Sequence, residues 1–382
     1  MEQRLTPADA VGRTRLLILQ PTPFCNIDCD YCYLPTRSDR HRMPYEIVEA
    51  AIRFVFDHEL PAPDFTIVWH GGEPLVLPAA WYRVAFRRAA SMAPTGAVLR
   101  HAIQTNGTLI DGEWCGFFRE VPIKVGVSVD GPQWLHDRRR RTRSGGGTFT
   151  RVMRGIDMLR RNGVPFHAIC VVTEATLDFA DELMDFFLKE DIRNIGFNLE
   201  EIEGINKTST LLRPGTERRF RNFFARVIAR AQKAYPPILV REQQELLACL
   251  QHPAFGRLSS NTSNEPFGFI TVSSRGAIFT FSPELAGLTD PTYRNFSVGQ
   301  LPGDTLPDIL SRQSFQRMKA DIDEGTEMCR TSCKYFDLCL GGAPANKLAE
   351  KGSFAKAETL YCRLAHQALA DVILDDLEQS LA

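Results

Sequence analysis

The fold of this chain is constrained most strongly by an alternation of short apolar runs with amphipathic segments, which extends from Leu16 to about Glu201. Six of the apolar runs have the length of buried strands. Parallel neighbours need a helical crossover, so six strand–helix units predict a parallel sheet. Six units are too few for a closed eight-stranded barrel, and we expect an α/β chain with an open, incomplete (β/α)6 barrel. The predicted strands are Leu16–Leu19, Phe65–Trp69, Val98–Gln104, Lys124–Val129, His167–Val172 and Asn194–Leu199.

Apolar periodicity also predicts helices and a hairpin. The helices are one over about Tyr45–His58, with Ile47, Ala51 and Val55 on its apolar face, one over Thr305–Asp321, and one from about Thr359 onward. The hairpin is predicted over Phe269–Phe281, with its turn at Ser273–Gly276.

Polar motifs follow the ends of these predicted strands. The C-terminal rim of a β/α barrel is where active sites are built, because the loops that follow the strands converge there. The pattern therefore predicts one polar mouth, independently of any single motif. In strand order the polar groups are Cys25–Cys32, His70–Pro74, Thr105–Gly107, Ser128 with Asp130, Thr173, and Asn198 with Glu200.

The first of these loops contains three cysteines, Cys25, Cys29 and Cys32, with the spacing C-x3-C-x2-C. Three thiolates can hold three irons of a four-iron cluster and leave the fourth iron without a protein ligand. An open metal position is a place for chemistry. The alternatives are a zinc site or three ordinary cysteines. Structural zinc usually takes four ligands, and no fourth Cys or His lies at the usual short spacing, so the pattern favours a cluster.

A second cysteine group lies near the C-terminus, with the pattern C-x3-C-x5-C and a distant fourth cysteine. Four cysteines suit either a fully ligated cluster or a tetrahedral zinc ion, and the spacing alone does not choose between them. The pair Gly341–Gly342 fits a backbone that turns sharply beside a metal. The four residues are Cys329, Cys333, Cys339 and Cys362.

Composition limits the classes of function. The chain has 382 residues, a formal net charge of −1 and no apolar run long enough for a membrane helix. It begins without a recognisable export signal, so its ten cysteines favour metal over disulfides. We expect a cytoplasmic protein with no nucleic-acid or membrane partner. The predicted divisions are a lead-in (1–13), the barrel (14–213), bridging helices (214–256) and a second α+β domain (257–382).

Two motifs together resemble the radical S-adenosylmethionine (SAM) enzymes: the cysteine triplet with Tyr31, and His70-Gly71-Gly72-Glu73-Pro74. The resemblance implies that Cys25, Cys29 and Cys32 ligate a [4Fe–4S] cluster whose open iron chelates SAM. An electron from the cluster, supplied by a flavodoxin or ferredoxin type of donor, would cleave SAM to methionine and a 5′-deoxyadenosyl radical.

The same resemblance implies roles in binding SAM. Gly71, Gly72 and Glu73 would meet its amino group, since glycines permit close backbone approach and a carboxylate pairs with an ammonium. Ser128 and Asp130 would contact ribose or methionine, and Asn106 would line the same pocket. Within the basic run from Arg138 to Arg143, Arg141 would hold the SAM carboxylate.

The segment from Met328 to Cys362 resembles the C-terminal auxiliary-cluster domain, called SPASM, of radical SAM peptide maturases. Its full form holds two clusters. Residues 267–285 contain no cysteine here, and Ala343 stands near where another ligand would be expected. The resemblance therefore implies one auxiliary [4Fe–4S] cluster, held by Cys329, Cys333, Cys339 and Cys362.

Three further segments, Phe197–Gly204, Thr280–Leu285 and Gly341–Lys347, resemble maturases that install cyclophane crosslinks in glycine-rich-repeat precursor peptides. The implied reaction joins an aromatic ring to a side-chain carbon of a ribosomal precursor peptide, with hydrogen abstraction by the 5′-deoxyadenosyl radical. We predict Glu284 as the base that takes the proton.

Alternative outcomes remain open. Within enzymes they are thioether formation, epimerisation and oxidation of Ser or Cys to formylglycine. Outside enzymes, the chain would be an iron–sulfur electron carrier or redox sensor, which would not need His70–Pro74 or a polar rim. Modification of nucleic acid is not supported by the near-neutral charge.

Overall fold

The computed structural model describes residues 12–381, so the predicted lead-in lies outside the described residues except for its last two positions. Ten strands form one open sheet in the order β12-β11-β10-β1-β3-β4-β5-β7-β8-β9. The six predicted strands correspond to β1, β3, β4, β5, β7 and β8, and each pairs in parallel with the next. The expected incomplete α/β barrel is confirmed.

The strands of this sheet and of a small second sheet alternate with helices. The strands are β1 (Thr14–Leu19), β2 (Ile27–Cys29), β3 (Pro61–Trp69), β4 (Arg100–Thr105), β5 (Ile123–Ser128), β6 (Arg140–Thr142), β7 (Phe166–Val172), β8 (Asn194–Leu199), β9 (Leu239–Val240), β10 (Phe269–Val272), β11 (Ala277–Thr280) and β12 (Gly299–Gln300). The α-helices are α1 (Tyr45–Asp57), α2 (Ala79–Met92), α3 (Gly112–Glu120), α4 (Gln133–Arg139), α5 (Phe149–Arg161), α6 (Ala180–Lys189), α7 (Thr216–Lys233), α8 (Arg241–Leu250), α9 (Leu306–Ser311), α10 (Gln313–Ser332), α11 (Phe336–Cys339), α12 (Pro344–Lys351) and α13 (Leu369–Leu381).

The helices bury the apolar faces that their periodicity indicates. On α1 the face formed by Ile47, Ala51 and Val55 is buried, as predicted. On α7 the phenylalanine-rich stripe packs into the core beside α6 and α13. Burial of such stripes supplies most of the stability of helices of this length. Among residues 12–381, every helix is too short or too polar to cross a bilayer.

The predicted hairpin at Phe269–Phe281 forms as β10 and β11, and its turn lies at Ser273–Gly276. Its first strand also pairs in parallel with β1, with Leu17 beside Ile270. The second half of the chain therefore extends the barrel's own sheet, which fixes its position relative to the mouth of the barrel.

A single helix was expected over Thr305–Asp321. This prediction is wrong, because two helices, α9 and α10, occupy the region. The chain is extended at Arg312 (ψ 128°), where the guanidinium donates to Asp304 at 2.5 Å and also to the carbonyl of Val298. A capping box between Thr305 and Asp308 starts α9. These hydrogen bonds to distant residues interrupt the helix at Arg312, although the sequence has no glycine or proline at the break.

The C-terminal helix also differs from expectation. A continuous helix was expected from about Thr359, but residues Cys362–Ala368 form a π-helical turn before α13 begins. Such wide turns are frequent at functional sites, and this one begins at a predicted metal ligand.

Candidate active site

The first cysteine loop follows β1 and is held by a two-stranded antiparallel ribbon. Strand β2 pairs with β6, which places Cys29 opposite Arg140 and Asp28 opposite Arg141. Arginine side chains also donate to the loop carbonyls: Arg37 to that of Cys29 at 2.7 Å and Arg143 to that of Cys25 at 2.8 Å. Much of the basic run thus fastens the cysteine loop.

The three thiols suit a cluster. Cys29 is buried, whereas Cys25 and Cys32 are half-buried. Burial raises the pKa of the Cys25 and Cys29 thiols to about 12, so thiolates here need a cation to neutralise them. Each cysteine of a four-iron cluster binds its own iron, so three thiols on one loop suit three irons of such a cluster and leave the fourth iron open.

The Gly71–Gly72 turn packs backbone against backbone on the cysteine loop. Both glycines have positive φ, +99° and +61°. A Cβ at Gly72 would lie 2.5 Å from the carbonyl oxygen of Phe24 and 2.6 Å from that of Thr22. The amide of Glu73 donates to the Phe24 carbonyl at 2.8 Å. Only glycine permits this approach.

The carboxylate of Glu73 joins the ends of two neighbouring strands. It accepts hydrogen bonds from Thr105 Oγ1 at 2.6 Å, Asn106 N at 2.7 Å and Leu75 N at 2.9 Å. The residue is 1% exposed, and burial raises its pKa to about 7. These three hydrogen bonds all come from other residues of the chain. A contact between the Glu73 carboxylate and the SAM amino group stays a prediction.

Asn106 and Ser128 lie at the same mouth. The Asn106 amide donates to Asn26 Oδ1 at 2.8 Å and lies 3.8 Å from Cys25 Sγ, so the structure brings this residue to the cysteine loop. Ser128 is half-exposed and accepts from Gln104 Nε2 at 3.0 Å. Both assignments to the SAM pocket stay predictions.

Asp130 forms a buried ion pair with Arg140. The two bonds, Nε to Oδ2 and Nη2 to Oδ1, measure 2.8 and 3.1 Å. The Tyr31 hydroxyl donates to the same carboxylate at 2.5 Å, and Val171 N donates to it at 3.0 Å. Burial opposes ionisation, but the charges of Arg140 and His136 and the hydrogen bonds from Arg140 and Tyr31 together outweigh it and hold the pKa of Asp130 below its usual value. Asp130 therefore anchors the cysteine loop through Tyr31 and Arg140.

The structure distinguishes between neighbouring arginines that the sequence presents as one run. Arg141, the predicted carboxylate ligand, is exposed, and its Nε donates to the Asp137 carbonyl at 3.2 Å. Arg140 is the buried member of the run, and Arg139 pairs with Asp30 and Glu200. The sequence contains no signal for this difference, since it depends on the pairing of β6 with β2.

The second cysteine group surrounds a cavity of about 240 Å³ lined by Cys329, Cys333, Cys339 and Cys362. Gly341 and Gly342 have φ of +96° and +67°, which confirms the sharp turn expected beside Cys339. The Asn261 amide donates to the carbonyls of Cys339 at 2.7 Å and Gly342 at 3.1 Å, which holds this turn in place. Four thiols around one cavity match the donor set of a four-cysteine cluster.

A group of carboxylates lies where the barrel mouth meets the second half of the chain. Glu201 and Glu203 follow β8, and Glu284 belongs to the turn after β11. Asn346 donates to Glu201 at 2.5 Å, and the Ser282 hydroxyl donates to Glu284. All three carboxylates keep some solvent exposure, and their charges act on one another, so we treat Glu201, Glu203 and Glu284 as one group and call it the carboxylate cleft.

The environment of these carboxylates favours their protonated forms. Burial raises the pKa of Glu201 to about 8, and it also raises the pKa values of Glu203 and Glu284. Mutual repulsion among the carboxylates acts in the same direction on Glu201 and Glu203. A carboxyl group with a pKa of about 8, such as that of Glu201, can exchange protons near neutral pH. Sequence reasoning did not single out Glu201 and Glu203, although their motif, Glu-Glu-Ile-Glu, directly follows the sixth predicted strand.

The loop that bears Glu203 rests on the cysteine loop. Gly204 has a φ of +57°, and a Cβ there would lie 2.1 Å from the carbonyl oxygen of Tyr33. Ile205 N donates to that same oxygen at 3.1 Å. This contact places the carboxylates beside Tyr33, whose hydroxyl lies 3.3 Å from His70 Nε2.

A barrel with a three-cysteine loop at its mouth is typical of one class of enzyme, and comparison with known proteins identifies that class. Residues 19–221 match the family model of the Radical SAM superfamily, which is more than half of the chain. The chain therefore belongs to the radical SAM superfamily and is a radical SAM enzyme. Members of this superfamily use a [4Fe–4S] cluster and SAM.

Two relatives illustrate the range of similarity. An uncharacterized protein of Synechocystis sp. (strain ATCC 27184 / PCC 6803 / Kazusa) is 39% identical over 376 residues, which cover 97% of this chain and 94% of that protein. A serine-type anaerobic sulfatase-maturating enzyme of Bacteroides thetaiotaomicron is 38% identical over 180 residues, 45% of this chain and 43% of the relative. The match to the latter thus spans less than half of its length.

Solved structures share the fold over nearly the whole chain. The structure of anSMEcpe with bound AdoMet and Cp18Cys peptide has a TM-score of 0.75 at 20% identity, and covers 96% of this chain and 98% of that one. Streptococcus suis SuiB bound to precursor peptide SuiA has a TM-score of 0.65 at 16% identity, and covers 94% and 78%. At these identities the likeness concerns the fold.

Proposed function

We propose that this enzyme is a peptide maturase that joins an aromatic ring to a side-chain carbon of a ribosomally made precursor peptide. The observation that carries the proposal is spatial. The three segments that resemble cyclophane-forming maturases lie far apart in the chain, yet each contributes to the carboxylate cleft. Glu201 and Glu203 come from the first segment, Glu284 from the second and Asn346 from the third.

The proposed reaction needs a radical, a proton acceptor and an electron acceptor. With their cofactors bound, the Cys25–Cys32 loop supplies a radical that removes a hydrogen atom, and the second cysteine group supplies an acceptor for one electron. The protein's own contribution is the proton acceptor. A carbon radical that attacks a ring leaves one proton to be removed. We assign its removal to the ionised form of Glu284, whose affinity for a proton is raised by burial.

The remaining residues hold the parts in position. The Asp130–Arg140 pair and Tyr31 fix the cysteine loop, while Gly72 lets the Glu73 segment approach it. Glu73 keeps the strand-end loops together, and the peptide would meet the carboxylates where the barrel mouth adjoins the second half of the chain. An external donor of the flavodoxin or ferredoxin type would reduce the first cluster.

A second candidate function is the oxidation of a serine to formylglycine in a protein substrate. It is favoured by the 38% identity to a serine-type sulfatase-maturating enzyme, which is confined to 180 residues. Both candidates remove two hydrogen atoms from the substrate, so the mass change alone does not separate them. The products differ, because formylglycine is an aldehyde that reacts with hydrazides and a carbon–carbon crosslink is not.

The test is co-expression with a short, aromatic-rich peptide encoded beside the gene. The proposal predicts a product that has lost two hydrogen atoms, does not react with a hydrazide and resists fragmentation between the joined residues. A hydrazide-reactive product would favour formylglycine instead. A product of unchanged mass, with SAM cleavage intact, would contradict both.

The auxiliary cluster has its own test. Two four-iron clusters require about eight irons per chain after anaerobic reconstitution. Cys339→Ala should lower this to about four. Cys249→Ala is the matched control, because this half-buried thiol lies only 3.9 Å from the Leu338 carbonyl but outside the four-cysteine group, and it should keep all the iron. Full iron content in Cys339→Ala would contradict the assignment.

A further inference from the structure

Lys347 carries a buried positive charge without a carboxylate partner. The residue lies on α12 and is 4% exposed. Its Nζ donates to the carbonyl of Gly325 at 2.8 Å, and among the described residues no carboxylate oxygen lies within 4.0 Å of it. Lysine is almost never fully buried unless it is paired, because the removal of an ammonium group from water is costly. The fold therefore calls for a negative group near this side chain.

The ammonium lies beside the second cysteine group. Its acceptor, Gly325, stands four positions before Cys329 on α10, and both residues belong to the buried face of that helix. In a regular helix the Gly325 carbonyl also accepts from the Cys329 amide. Lys347 further lines the cavity that the four cysteines surround. The negative group that fits this place is therefore whatever the four cysteines hold.

Two other charged side chains line the cavity, and both are exposed to solvent. The ammonium of Lys334 lies 4.8 Å from the centre of the Tyr335 ring, and Glu358 pairs with Arg363 at 3.6 Å. Water and salt screen exposed charges, whereas a buried charge is screened much less. Of the charged groups around the cavity, Lys347 thus acts most strongly on its content.

A four-cysteine cluster has the negative charge that Lys347 lacks. Four thiolates outweigh the positive iron–sulfur core, so the whole cluster is an anion, and reduction by one electron makes it more negative. A neighbouring cation stabilises the more negative form more strongly. The ammonium would therefore favour the reduced cluster, which means a higher reduction potential. Net charge is one of the quantities that set the potential of such clusters.

We infer that Lys347 is the counter-charge of the cluster held by the second cysteine group and that it raises the reduction potential of this cluster. The inference rests on the proposed function, because it assumes a cluster at this site that accepts an electron. In the proposed reaction the ring radical is oxidised by one electron, the cluster is reduced by that electron, and the proton passes to Glu284. Lys347 takes no part in bond formation, and its role is to make the electron acceptor easier to reduce.

The experiment is a redox titration of the second cluster alone, followed by electron paramagnetic resonance. The parent is the full-length protein with Cys25→Ala, Cys29→Ala and Cys32→Ala, in which only the second cysteine group can hold a cluster, and it should bind about four irons. In this parent, Lys347→Met removes the charge but keeps an unbranched side chain. At a fixed potential the ratio of reduced to oxidised cluster should fall at least about tenfold, which corresponds to about 59 mV for one electron.

Two matched variants show whether the charge is responsible. Lys334→Met removes a lysine charge from the same cavity wall at an exposed position, so the ratio should change less than about threefold. Lys347→Arg keeps a positive charge at the buried position, and its ratio should also stay within about threefold of the parent.

The stability of the iron-free parent separates this role from a purely structural one. Without the cluster the Lys347 charge is buried and uncompensated, so Lys347→Met should leave the melting temperature unchanged or raise it. Iron loading should then raise the melting temperature less in Lys347→Met than in the parent, because the cluster has lost its counter-charge. A lysine that only fastens α12 to Gly325 would behave differently, since its loss would lower the melting temperature of the iron-free protein.

An unchanged or increased ratio in Lys347→Met would contradict the inference, as would an equal fall in Lys334→Met. If Lys347→Met binds no iron, the inference requires that Lys347→Arg binds about four irons and titrates like the parent. Failure of Lys347→Arg to bind iron would then count against it. A parent that binds no iron would contradict both the auxiliary cluster and the inference.

These measurements use neither the peptide nor SAM, so they are independent of the test of the proposed function. The expected shift, together with a peptide product of the unmodified enzyme that lacks the crosslink, would contradict the proposed function alone. A crosslinked product, together with a Lys347→Met cluster that titrates like the parent, would contradict the inference alone.

Discussion

Cys29 and Arg140 face each other across the β2–β6 ribbon, and Arg140 is also the buried partner of Asp130. A predicted iron ligand is thereby coupled, through one arginine, to the end of β5, the fourth of the six barrel strands.

Replacing Asp130 by Asn should destabilise the protein strongly. The change leaves Arg140 buried and without its counter-charge, which costs about 3–5 kcal/mol in the free energy of unfolding. Chemical denaturation of the iron-free protein measures it. Asp157→Asn is the control, because its pair with Arg160 is exposed and should cost no more than about 0.5 kcal/mol. Similar losses of unfolding free energy in the two variants would mean that the buried ion pair stabilises the protein no more than the exposed one.

Gly72→Ala tests the approach of the glycine turn to the cysteine loop. Gly163 has nearly the same φ, +63° against +61°, but nothing lies within 4 Å of the position its Cβ would take. Gly163→Ala should therefore cost only the backbone strain, about 1–2 kcal/mol. Gly72→Ala should cost at least about 3 kcal/mol and should lower the iron bound at the first site. Equal losses in the two variants would contradict the backbone contact.

The carboxylate cleft predicts a dependence of stability on pH. Glu201 has a folded-state pKa of about 8 against an ordinary value of 4.5, so the folded protein holds this proton to higher pH than the unfolded chain. Its contribution is therefore complete below about pH 4.5 and is lost as the pH rises towards 8.

Glu201→Gln should remove this part of the pH dependence. The difference in unfolding free energy between about pH 5 and about pH 8 should shrink by roughly 3–4 kcal/mol. Glu324→Gln, at an exposed position on α10, is the control and should leave the profile unchanged. A Glu201→Gln profile identical to that of the unmodified protein would show that this carboxyl group titrates normally.

Glu284→Gln tests the proposed proton acceptor. Loss of a general base should slow crosslinked-product formation about 100-fold, while 5′-deoxyadenosine release continues, because hydrogen abstraction precedes the proton transfer. Parallel quantification of peptide product and 5′-deoxyadenosine gives both rates. If product formation remains within about threefold of the unmodified enzyme, another group accepts the proton, with Glu201 and Glu203 as the next candidates.

Sequence reasoning recovered the features that depend on local pattern. The six parallel strands follow from apolar periodicity, and the polar mouth follows from where Cys25–Cys32 and His70–Pro74 stand relative to strand ends. The hairpin turn at Ser273–Gly276 follows from its small residues. These signals are local, so tertiary structure changes them little.

Features that depend on distant pairing were not predictable. The register of β6 on β2 decides which arginine is buried. Successive side chains alternate between the two faces of the ribbon, so Arg140 is buried and Arg141 is exposed. The break at Arg312 depends on Val298 and Asp304, and no local breaker signals it. Glu201 and Glu284 lie more than eighty positions apart, so only the fold shows that they share a cleft.

The central claim is that the Cys25–Cys32 loop holds a four-iron cluster with one iron free to bind SAM. The most direct measurement is the electron paramagnetic resonance spectrum of the reduced, reconstituted Cys339→Ala protein, which should retain only the first cluster, before and after addition of SAM. The account predicts that SAM alters the spectrum and that 5′-deoxyadenosine forms. An unaltered spectrum without 5′-deoxyadenosine, or a protein that retains zinc in place of iron, would contradict it.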